Sequence, residues 1–294
     1  RLTEVYQNAF PVSFDNTSKI VLISDCHRGD RTYADNFAKN QNLYFYALTH
    51  YYNEKFTYIE LGDGDELWEN KELSEIKSSH VDAFWLLSQF YKKDRLYLIY
   101  GNHDMVKKDP QYVTENLSEY YDEHEKKYRP LFDGIQVHEG ILLHYTLTGD
   151  QILLLHGHQG DLINDGLWKL SRFLVRYLWR PLELFGVNNP TSPAKNYDKK
   201  EKISDRLRQW SQKEKKMLIA GHTHKPVFPE VGEPTYFNDS SCVHPRSITA
   251  IEIEYGMISL VKWNIQTRDD GNLFVGRAVL AGPVPLTDYF KTQK

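Results

Sequence analysis

Residues 19–27 read KIVLISDCH, a run of apolar and β-branched side chains that ends in an Asp-x-His pair. A short apolar run of this kind is typical of a buried strand. Four more apolar segments also run directly into polar residues, and this repeated arrangement decides the predicted fold. The five predicted strands cover residues 19–24, 56–61, 96–100, 151–155 and 216–220.

Segments with helical periodicity separate these strands along the chain. They cover residues 35–54, 74–93, 114–128, 162–185 and 197–215. The alternation of strands and helices predicts an α/β fold. In open α/β sheets, ligand sites form beyond the carboxyl ends of the strands, so we expect the five polar runs to meet at one place.

Shorter alternating strands are predicted in two other parts of the chain, at residues 135–145 and 235–265. In the second part, residues 254–257 predict a hairpin turn between strands at 248–253 and 258–263. These strands predict a second sheet that packs on the first.

The length and composition of the chain allow a sizeable core, since 40% of its 294 residues are hydrophobic. We predict a single domain over residues 1–294, with a helical insertion at residues 162–215 that serves as a lid or an interface. Residues 267–294 contain Gly and Pro but show little periodicity, so we interpret this C-terminal tail as a loop or a surface strap.

Charge and cysteine content limit the classes of function. The net charge of -4 gives no global basic field, so nucleic acid is not favoured as a partner. The two cysteines, Cys26 and Cys242, are too few for a disulfide framework, which favours a cytoplasmic location. No apolar run is long enough to span a bilayer.

The polar runs themselves contain the residue types of a metal site. In an extended backbone, residues two apart point to the same face, so Asp25 and His27 can reach one ion. Carboxylate oxygen beside imidazole nitrogen suits Zn, Fe or Mn better than Ca. The runs are Asp25-Cys26-His27, Gly62-Asp63-Gly64-Asp65-Glu66, Gly101-Asn102-His103-Asp104, His156-Gly157-His158 and Gly221-His222-Thr223-His224.

In this order, the five runs resemble the calcineurin-like metallophosphoesterase superfamily, from Ile20 to about Trp263. The resemblance implies a four-layer α/β/β/α sandwich and two divalent transition metal ions, Mn, Fe or Zn. For the first metal, the implied ligands are Asp25, His27, Asp63 and His224. For the second metal, they are Asp63, Asn102, His156 and His222, so that Asp63 bridges the pair.

Two ions about 3.5 to 4 Å apart lower the pKa of a bridging water, which supplies hydroxide near neutral pH. We therefore expect hydrolysis of a phosphodiester or pyrophosphate bond by a metal-bridging hydroxide. His103 is expected to protonate the leaving oxygen or to donate a hydrogen bond to the developing charge. Asp104 or Glu66 is expected to orient an imidazole. His158 is expected beside the ligands or in contact with substrate.

Two other functions stay open: a phosphomonoesterase of the protein Ser/Thr phosphatase type, and a non-catalytic phosphate-binding scaffold. Two features are similar to the UDP-2,3-diacylglucosamine hydrolases, which cleave a lipid-linked pyrophosphate. These are the Glu66 of the Gly62-Asp63-x-x-Glu66 pattern and the long helical insertion after His156. The sequence departs from that subgroup at His103, where the subgroup carries Arg.

The insertion contains three arginines at a spacing of four, Arg172, Arg176 and Arg180, which places them on one helical face. Residues 167–185 are otherwise largely apolar and aromatic. We predict peripheral contact of this helix with the inner face of the membrane, or with an acyl or aromatic ligand. The alternative is a lid or homodimer helix with solvated arginines. Arg172 and Arg176 are candidate contacts to a phosphorylated small-molecule or lipid-linked substrate.

Overall fold

Two large β-sheets, one two-stranded sheet and the helices around them make up the structure, a computed structural model that describes residues 1–122, 125–161, 172–179 and 197–293. Its strands are β1 Phe10–Phe14, β2 Lys19–Ile23, β3 Thr57–Leu61, β4 Leu96–Ile99, β5 Glu119–Asp122, β6 Lys127–Pro130, β7 Val137–His138, β8 Gly140–Tyr145, β9 Gln151–Leu155, β10 Met217–Ala220, β11 Tyr236–Asn238, β12 Ser247–Glu254, β13 Met257–Thr267 and β14 Leu273–Pro285. Its α-helices are α1 Leu2–Asn8, α2 Gln41–Asn53, α3 Leu73–Ser79, α4 Val81–Tyr91, α5 Pro110–Leu117, α6 Tyr197–Glu214 and α7 Leu286–Lys291. Shorter helical turns are Met105–Lys108, His158–Gly160 and the π-helical turn Val175–Trp179.

The strands that precede the polar runs divide between the two sheets. In the described residues, the seven-stranded sheet has the order β14-β13-β12-β2-β3-β4-β7, and the five-stranded sheet has the order β1-β8-β9-β10-β11. Strands β2, β3 and β4 pair in parallel. Strands β9 and β10 also pair in parallel, in the other sheet. The carboxyl ends of three strands from one sheet and two from the other can therefore meet.

Three apolar cores separate four layers, which confirms the predicted α/β/β/α sandwich. The two sheets share a central core that includes Leu22 of β2 and Ile219 of β10. Helices α2 to α5 cover the outer face of the seven-stranded sheet. Helices α1 and α6 cover the outer face of the five-stranded sheet, where Leu207 of α6 is fully buried.

The residues of β2 show why its sequence reads as one continuous apolar run. Ile20 and Leu22 belong to the core between the sheets. Val21 and Ile23 point to the opposite face and pack against helices. Because both faces of the strand are covered, its sequence is apolar throughout and does not alternate between apolar and polar residues.

The assignment of residues 235–265 to a second sheet is wrong for most of that stretch. Strand β12 pairs antiparallel with β2 and so extends the first sheet. The predicted hairpin itself is present, because β12 pairs with β13 across a two-residue turn at Tyr255 and Gly256, both with positive φ. The second sheet is instead built around β8, β9 and β10.

The prediction of a helix at residues 114–128 is also wrong after residue 117. Helix α5 ends at Leu117, and β5 and β6 form an antiparallel hairpin after it. Lys77 of α3 donates hydrogen bonds to the carbonyl oxygens of Asn116 and Glu119, at 2.7 and 2.6 Å. This long-range cap satisfies carbonyls at the end of the helix, which a local sequence pattern does not reveal.

The C-terminal residues are part of the fold, so the interpretation of residues 267–294 as a loop or surface strap is wrong. Strand β14 pairs with β13 along the edge of the seven-stranded sheet, and α7 follows it. Helix α7 buries Tyr289 and Phe290 in the core between the sheets. Gly and Pro are tolerated in β14 because an edge strand needs hydrogen bonds on one side only.

Only part of the predicted helical insertion can be compared with the structure. Residues 172–179 and 197–215 are described, and helix is present in both ranges. The rest of the insertion, including Arg180, lies outside the described residues. In the part of the chain that is described, no helix is long and apolar enough to cross a membrane.

The docking of α7 predicts a large effect of one C-terminal substitution. Phe290 is 1% exposed and its ring lies 5.8 Å from that of Tyr145. We expect Phe290→Ala to lower the free energy of unfolding by about 3 to 5 kcal/mol in urea denaturation, since a buried ring is lost. Lys291→Ala, at an exposed neighbour, should leave it unchanged. Equal stability of the two variants would contradict the docked helix.

Candidate metal centre

Side chains that follow five strands meet between the two sheets. In chain order they are Asp25 and His27 after β2, Asp63 after β3, Asn102 and His103 after β4, His156 after β9, and His222 and His224 after β10. The first three strands belong to the seven-stranded sheet and the last two to the five-stranded sheet. The structure therefore brings together six of the seven residues predicted as metal ligands, together with His103, and Asn102 lies in the same turn as His103.

The backbone at these positions is unusual. Asp25, His27, Asp63, His222 and His224 all have φ between 48° and 69°, in the left-handed region. Non-glycine residues rarely adopt this conformation, which costs about 1 to 3 kcal/mol for each residue and persists only where the surrounding structure imposes it. Five such residues in one cluster indicate a functional site, because strained backbone concentrates at such sites.

Two glycines allow the loops to approach one another closely. A Cβ atom on Gly101 would lie 2.1 Å from Oδ1 of Asp63, and one on Gly221 would lie 2.2 Å from Oγ of Ser24. Neither distance is compatible with a side chain. The glycines of the Gly101-Asn102-His103-Asp104 and Gly221-His222-Thr223-His224 runs are therefore required by packing within the site.

The first group of candidate ligands consists of Asp25, His27 and His224. Oδ1 of Asp25 lies 3.0 Å from Nε2 of His224 and 3.6 Å from Nε2 of His27. One ligand atom from each of the three residues lies within 4.8 Å of the other two, which is compatible with a single ion. Carboxylate and imidazole donors together suit a transition metal.

The second group consists of Asp63, His156 and His222, and Asp63 also approaches the first group. Oδ2 of Asp63 lies 3.1 Å from Nε2 of His156 and 3.8 Å from Nε2 of His27. The ligand atoms of the three residues again lie within 4.8 Å of one another. Asp63 is therefore placed between the two groups.

Unpaired polar atoms show that the residues fit a cation. Asn102 is fully buried, and neither its amide oxygen nor its amide nitrogen has a hydrogen-bond partner within the described residues. The same is true of Nε2 of His222. Buried polar atoms are nearly always paired, so orphaned atoms beside buried carboxylates fit the ligands of a metal ion.

Glu66 holds two imidazoles. One of its oxygens lies 2.7 Å from Nδ1 of His27, and a carboxylate oxygen lies 2.8 Å from Nδ1 of His103. Burial alone would raise the pKa of Glu66, but His103 and His27 outweigh it and lower the pKa to about 2. The carboxylate is therefore ionised, and it leaves Nε2 of each imidazole free to face the cluster. His156 is held similarly, with Nδ1 2.8 Å from the Leu61 carbonyl oxygen.

Asp104 does not orient an imidazole, which corrects one of the two alternatives in the sequence prediction. Its Oδ1 accepts a hydrogen bond from the backbone N–H of Gly101 at 2.6 Å, and its Oδ2 lies 2.8 Å from Nζ of Lys107. The side chain instead closes the turn that presents Asn102.

A buried ion-pair network that sequence reasoning missed supports these loops. Arg28 binds both oxygens of Glu60, at 2.8 and 2.9 Å, and its Nε lies 2.7 Å from Oδ1 of Asp65. Lys107 joins Asp65 to Asp104. Each charge of this network has a partner of opposite sign, as burial of charge requires. The network connects the loops after β2, β3 and β4.

Burial and neighbouring charges shift the pKa values of several ionisable groups in the cluster. Burial would raise the pKa of Asp63, but His156 and His103 hold it well below the usual range. Burial would lower the pKa of His156, but Asp63 and Asp25 raise it to about 9. Burial and then the charge of His156 lower the pKa of His222 to about 3. A cation that binds Nε2 of His156 therefore displaces a proton.

Of the three candidate substrate contacts, Arg176 is placed differently from the prediction, whereas the ring of His158 lies 5.5 Å from that of His156, beside the candidate ligands. His158 is fully buried, and burial followed by the charge of His156 lowers its pKa well below the usual value. Arg176 donates from Nε to the Trp68 carbonyl oxygen at 3.0 Å, and from Nη2 to the carbonyls of Leu67 and Asn70. Its guanidinium therefore binds the protein backbone. Arg172 is half-buried, and burial followed by the charge of Arg176 lowers its pKa.

Trp68 is a neighbour of the site that sequence reasoning missed. Its ring stacks on the imidazole of His103, with centroids 4.2 Å apart and an interplanar angle of 21°. Trp68 is 4% exposed. The only available signal was its position two residues after Glu66, in the loop that continues the second polar run.

The fold and the cluster define a metal-binding α/β/β/α sandwich. A family model described as calcineurin-like phosphoesterase matches residues 18–226. The chain belongs to the calcineurin-like phosphoesterase family, which indicates a metal-dependent phosphoester hydrolase. This confirms the resemblance to the superfamily seen in the five polar runs.

Comparisons with individual proteins show more distant similarity. The chain is similar to the Vps29 of Chaetomium thermophilum, with 11% identity, a TM-score of 0.40, and coverage of 90% of this chain and 96% of that one. It is also similar to a hypothetical protein from Thermus thermophilus, with 11% identity, a TM-score of 0.33, and coverage of 89% and 98%. No curated protein matches the chain.

The position of Asp63 predicts that its charge is required for metal binding. We expect Asp63→Asn to lose at least one metal ion per chain after loading with Mn, measured by plasma mass spectrometry, because a neutral amide is a poor bridging ligand. Asp133→Asn changes an exposed carboxylate and serves as the control. Full metal content in Asp63→Asn would contradict the assignment.

Proposed function

We propose that the chain hydrolyses a phosphodiester or pyrophosphate bond at a dinuclear centre of divalent transition metal ions, Mn, Fe or Zn. The observation that carries this proposal is the position of Asp63, whose Oδ2 lies 3.1 Å from Nε2 of His156 and 3.8 Å from Nε2 of His27. Bound there, two ions would supply a hydroxide nucleophile near neutral pH and would polarise the phosphoryl oxygens.

In this proposal, the first ion is held by Asp25, His27, Asp63 and His224, and the second by Asp63, Asn102, His156 and His222. Each set combines carboxylate oxygen with imidazole nitrogen, which favours Zn, Fe or Mn over Ca. Asn102 contributes a neutral oxygen, which limits the negative charge around a site that must accept an anionic phosphate.

His103 is the proposed proton donor to the leaving oxygen. Its side chain is 18% exposed, compared with 10% for His27 and 0% for His156, so of these three imidazoles it is the most open to a substrate. Glu66 binds its Nδ1, which leaves Nε2 for the leaving group. The backbone N–H of His103 donates to Oδ1 of Asp63 at 2.8 Å, which fixes its distance from the cluster.

The segment of residues 172–179 supports a substrate with an apolar portion. Arg176 binds the carbonyl of Trp68, and Trp68 stacks on His103, so this segment lies beside the proposed site. The segment exposes Phe173 (58%) and Tyr177 (63%) to solvent. We therefore favour a lipid-linked or other phosphorylated small molecule over a phosphorylated protein, which would require an uncovered cleft.

A substrate panel tests this proposal. We expect hydrolysis of bis(p-nitrophenyl) phosphate or of a nucleotide-linked pyrophosphate to exceed that of p-nitrophenyl phosphate, with Mn, Zn or Mg supplied in turn. Strong preference for the monoester would favour the Ser/Thr phosphatase type of activity. Absence of both bound metal and turnover, with the wild type no better than Asp63→Asn, would favour the scaffold.

The proposed role of His103 predicts a dependence on the leaving group. We expect His103→Ala to lower kcat by about 10²- to 10⁴-fold for diesters with an alkoxide leaving group, and much less for p-nitrophenolate, which needs no proton. Steady-state kinetics with both substrates measure this difference. His144→Gln, in β8, is the control histidine. An equal loss for both leaving groups would argue against proton donation by His103.

We also propose a cytoplasmic protein that makes peripheral contact with the inner face of the membrane through residues 167–185. The exposed rings of Phe173 and Tyr177 support this proposal. We expect the protein to float with anionic vesicles at low salt and to be released at high salt, and a Phe173→Ser, Tyr177→Ser variant to float less. Lack of flotation together with dimer formation in solution would assign the surface to a homodimer instead.

A further inference from the structure

The loop of residues 66–70 is organised around the carboxylate of Glu66. The backbone N–H of Trp68 lies 3.2 Å from Oε1 of Glu66, and Asn70 donates its backbone N–H to the Glu66 carbonyl oxygen at 3.1 Å. The same carboxylate binds Nδ1 of His103. The loop therefore contacts His103 twice, through Glu66 at the ring edge and through Trp68 at the ring face.

Arg176 fixes this loop from the insertion. Its guanidinium donates to three carbonyl oxygens of the loop, those of Leu67 at 2.7 Å, Trp68 at 3.0 Å and Asn70 at 2.9 Å. These three loop residues are 3 to 4% exposed. If the Arg176 guanidinium were removed, water could not easily replace it as the hydrogen-bond donor to their carbonyls. The planar fork of an arginine fits several acceptors at once, whereas a lysine presents a single ammonium.

The contacts form a continuous path from the insertion to the proposed proton donor. Arg176 binds the backbone on both sides of Trp68, and the ring of Trp68 covers one face of the His103 imidazole. An imidazole with one nitrogen hydrogen-bonded and one face covered has little freedom to rotate. Misplacement of a reacting group by about 1 Å can cost about 10²-fold in rate.

We propose that Trp68 and Arg176 are positioning residues for proton donation by His103. Through Arg176, residues 172–179 help to hold His103 in place. This inference rests on the role of His103 in the proposed function. Trp68 holds the plane of the imidazole, and Arg176 holds Trp68. Neither Trp68 nor Arg176 is itself a candidate metal ligand.

The test measures kcat for a series of aryl phosphodiesters whose leaving groups range from p-nitrophenol to phenol. We expect Trp68→Leu and Arg176→Met to lower kcat by about 10- to 100-fold for the phenol leaving group and by less than about 3-fold for p-nitrophenol. Metal content should stay that of the wild type. Trp68→Phe should restore most of the activity, because it keeps an aromatic face, and Arg176→Lys should restore less.

Lys71→Met is the matched control, because it removes an exposed charge directly after the loop of residues 66–70, and it should behave as the wild type. A uniform loss of kcat across the series, or a loss of bound metal, would show that Trp68 and Arg176 have a merely structural role and would overturn the inference. If His103→Ala itself shows no leaving-group dependence, the proposed role of His103 fails and the inference fails with it. If only His103→Ala shows the dependence, the proposed function stands and the inference alone fails.

Discussion

Backbone hydrogen bonds between the loops after β2 and β3 set the geometry on which the rest of the site depends. Asp25 donates its N–H to the Gly62 carbonyl oxygen at 3.0 Å, and His27 donates its N–H to the Asp63 carbonyl oxygen at 2.9 Å. These bonds continue the pairing of two parallel strands beyond the ends of the strands. The register of the sheet therefore fixes one aspartate relative to the other, and both aspartates have a left-handed backbone there.

Much of the site could be predicted from the sequence because its signals are local. Each of the five apolar segments was assigned correctly as a strand, since a strand buried on both faces has a continuous apolar run. The polar residues directly after each strand then had to lie at the strand ends. Asp25 and His27 illustrate this, because both follow the end of β2 and lie in the cluster. Their backbone is left-handed there, with φ of 51° and 48°, so the extended backbone assumed for the two-residue spacing is wrong.

The parts that could not be predicted depend on contacts between residues distant in the chain. The pairing of β12 with β2 moves a hairpin into the first sheet, and nothing in the hairpin sequence specifies that neighbour. Lys77 of α3 donates a hydrogen bond to a carbonyl oxygen at the end of α5 and so caps that helix. Arg176 is a candidate substrate contact in the sequence analysis, but its guanidinium binds backbone carbonyls, because helical periodicity shows which residues share a face and not what that face contacts. Strand β14 was missed because an edge position tolerates the Gly and Pro that usually indicate a loop.

The candidate metal centre draws its residues from both sheets of the sandwich. Asp25 of one sheet lies 3.0 Å from His224 of the other, and Asp63 lies 3.1 Å from His156. Ions held there would cross-link the two sheets, in addition to the apolar core between them. Metal affinity and sheet packing are then thermodynamically linked, because ligand binding to the folded state stabilises whatever holds the ligands together. A change in the shared core, at Leu22 or Ile219, would alter metal affinity without touching a ligand.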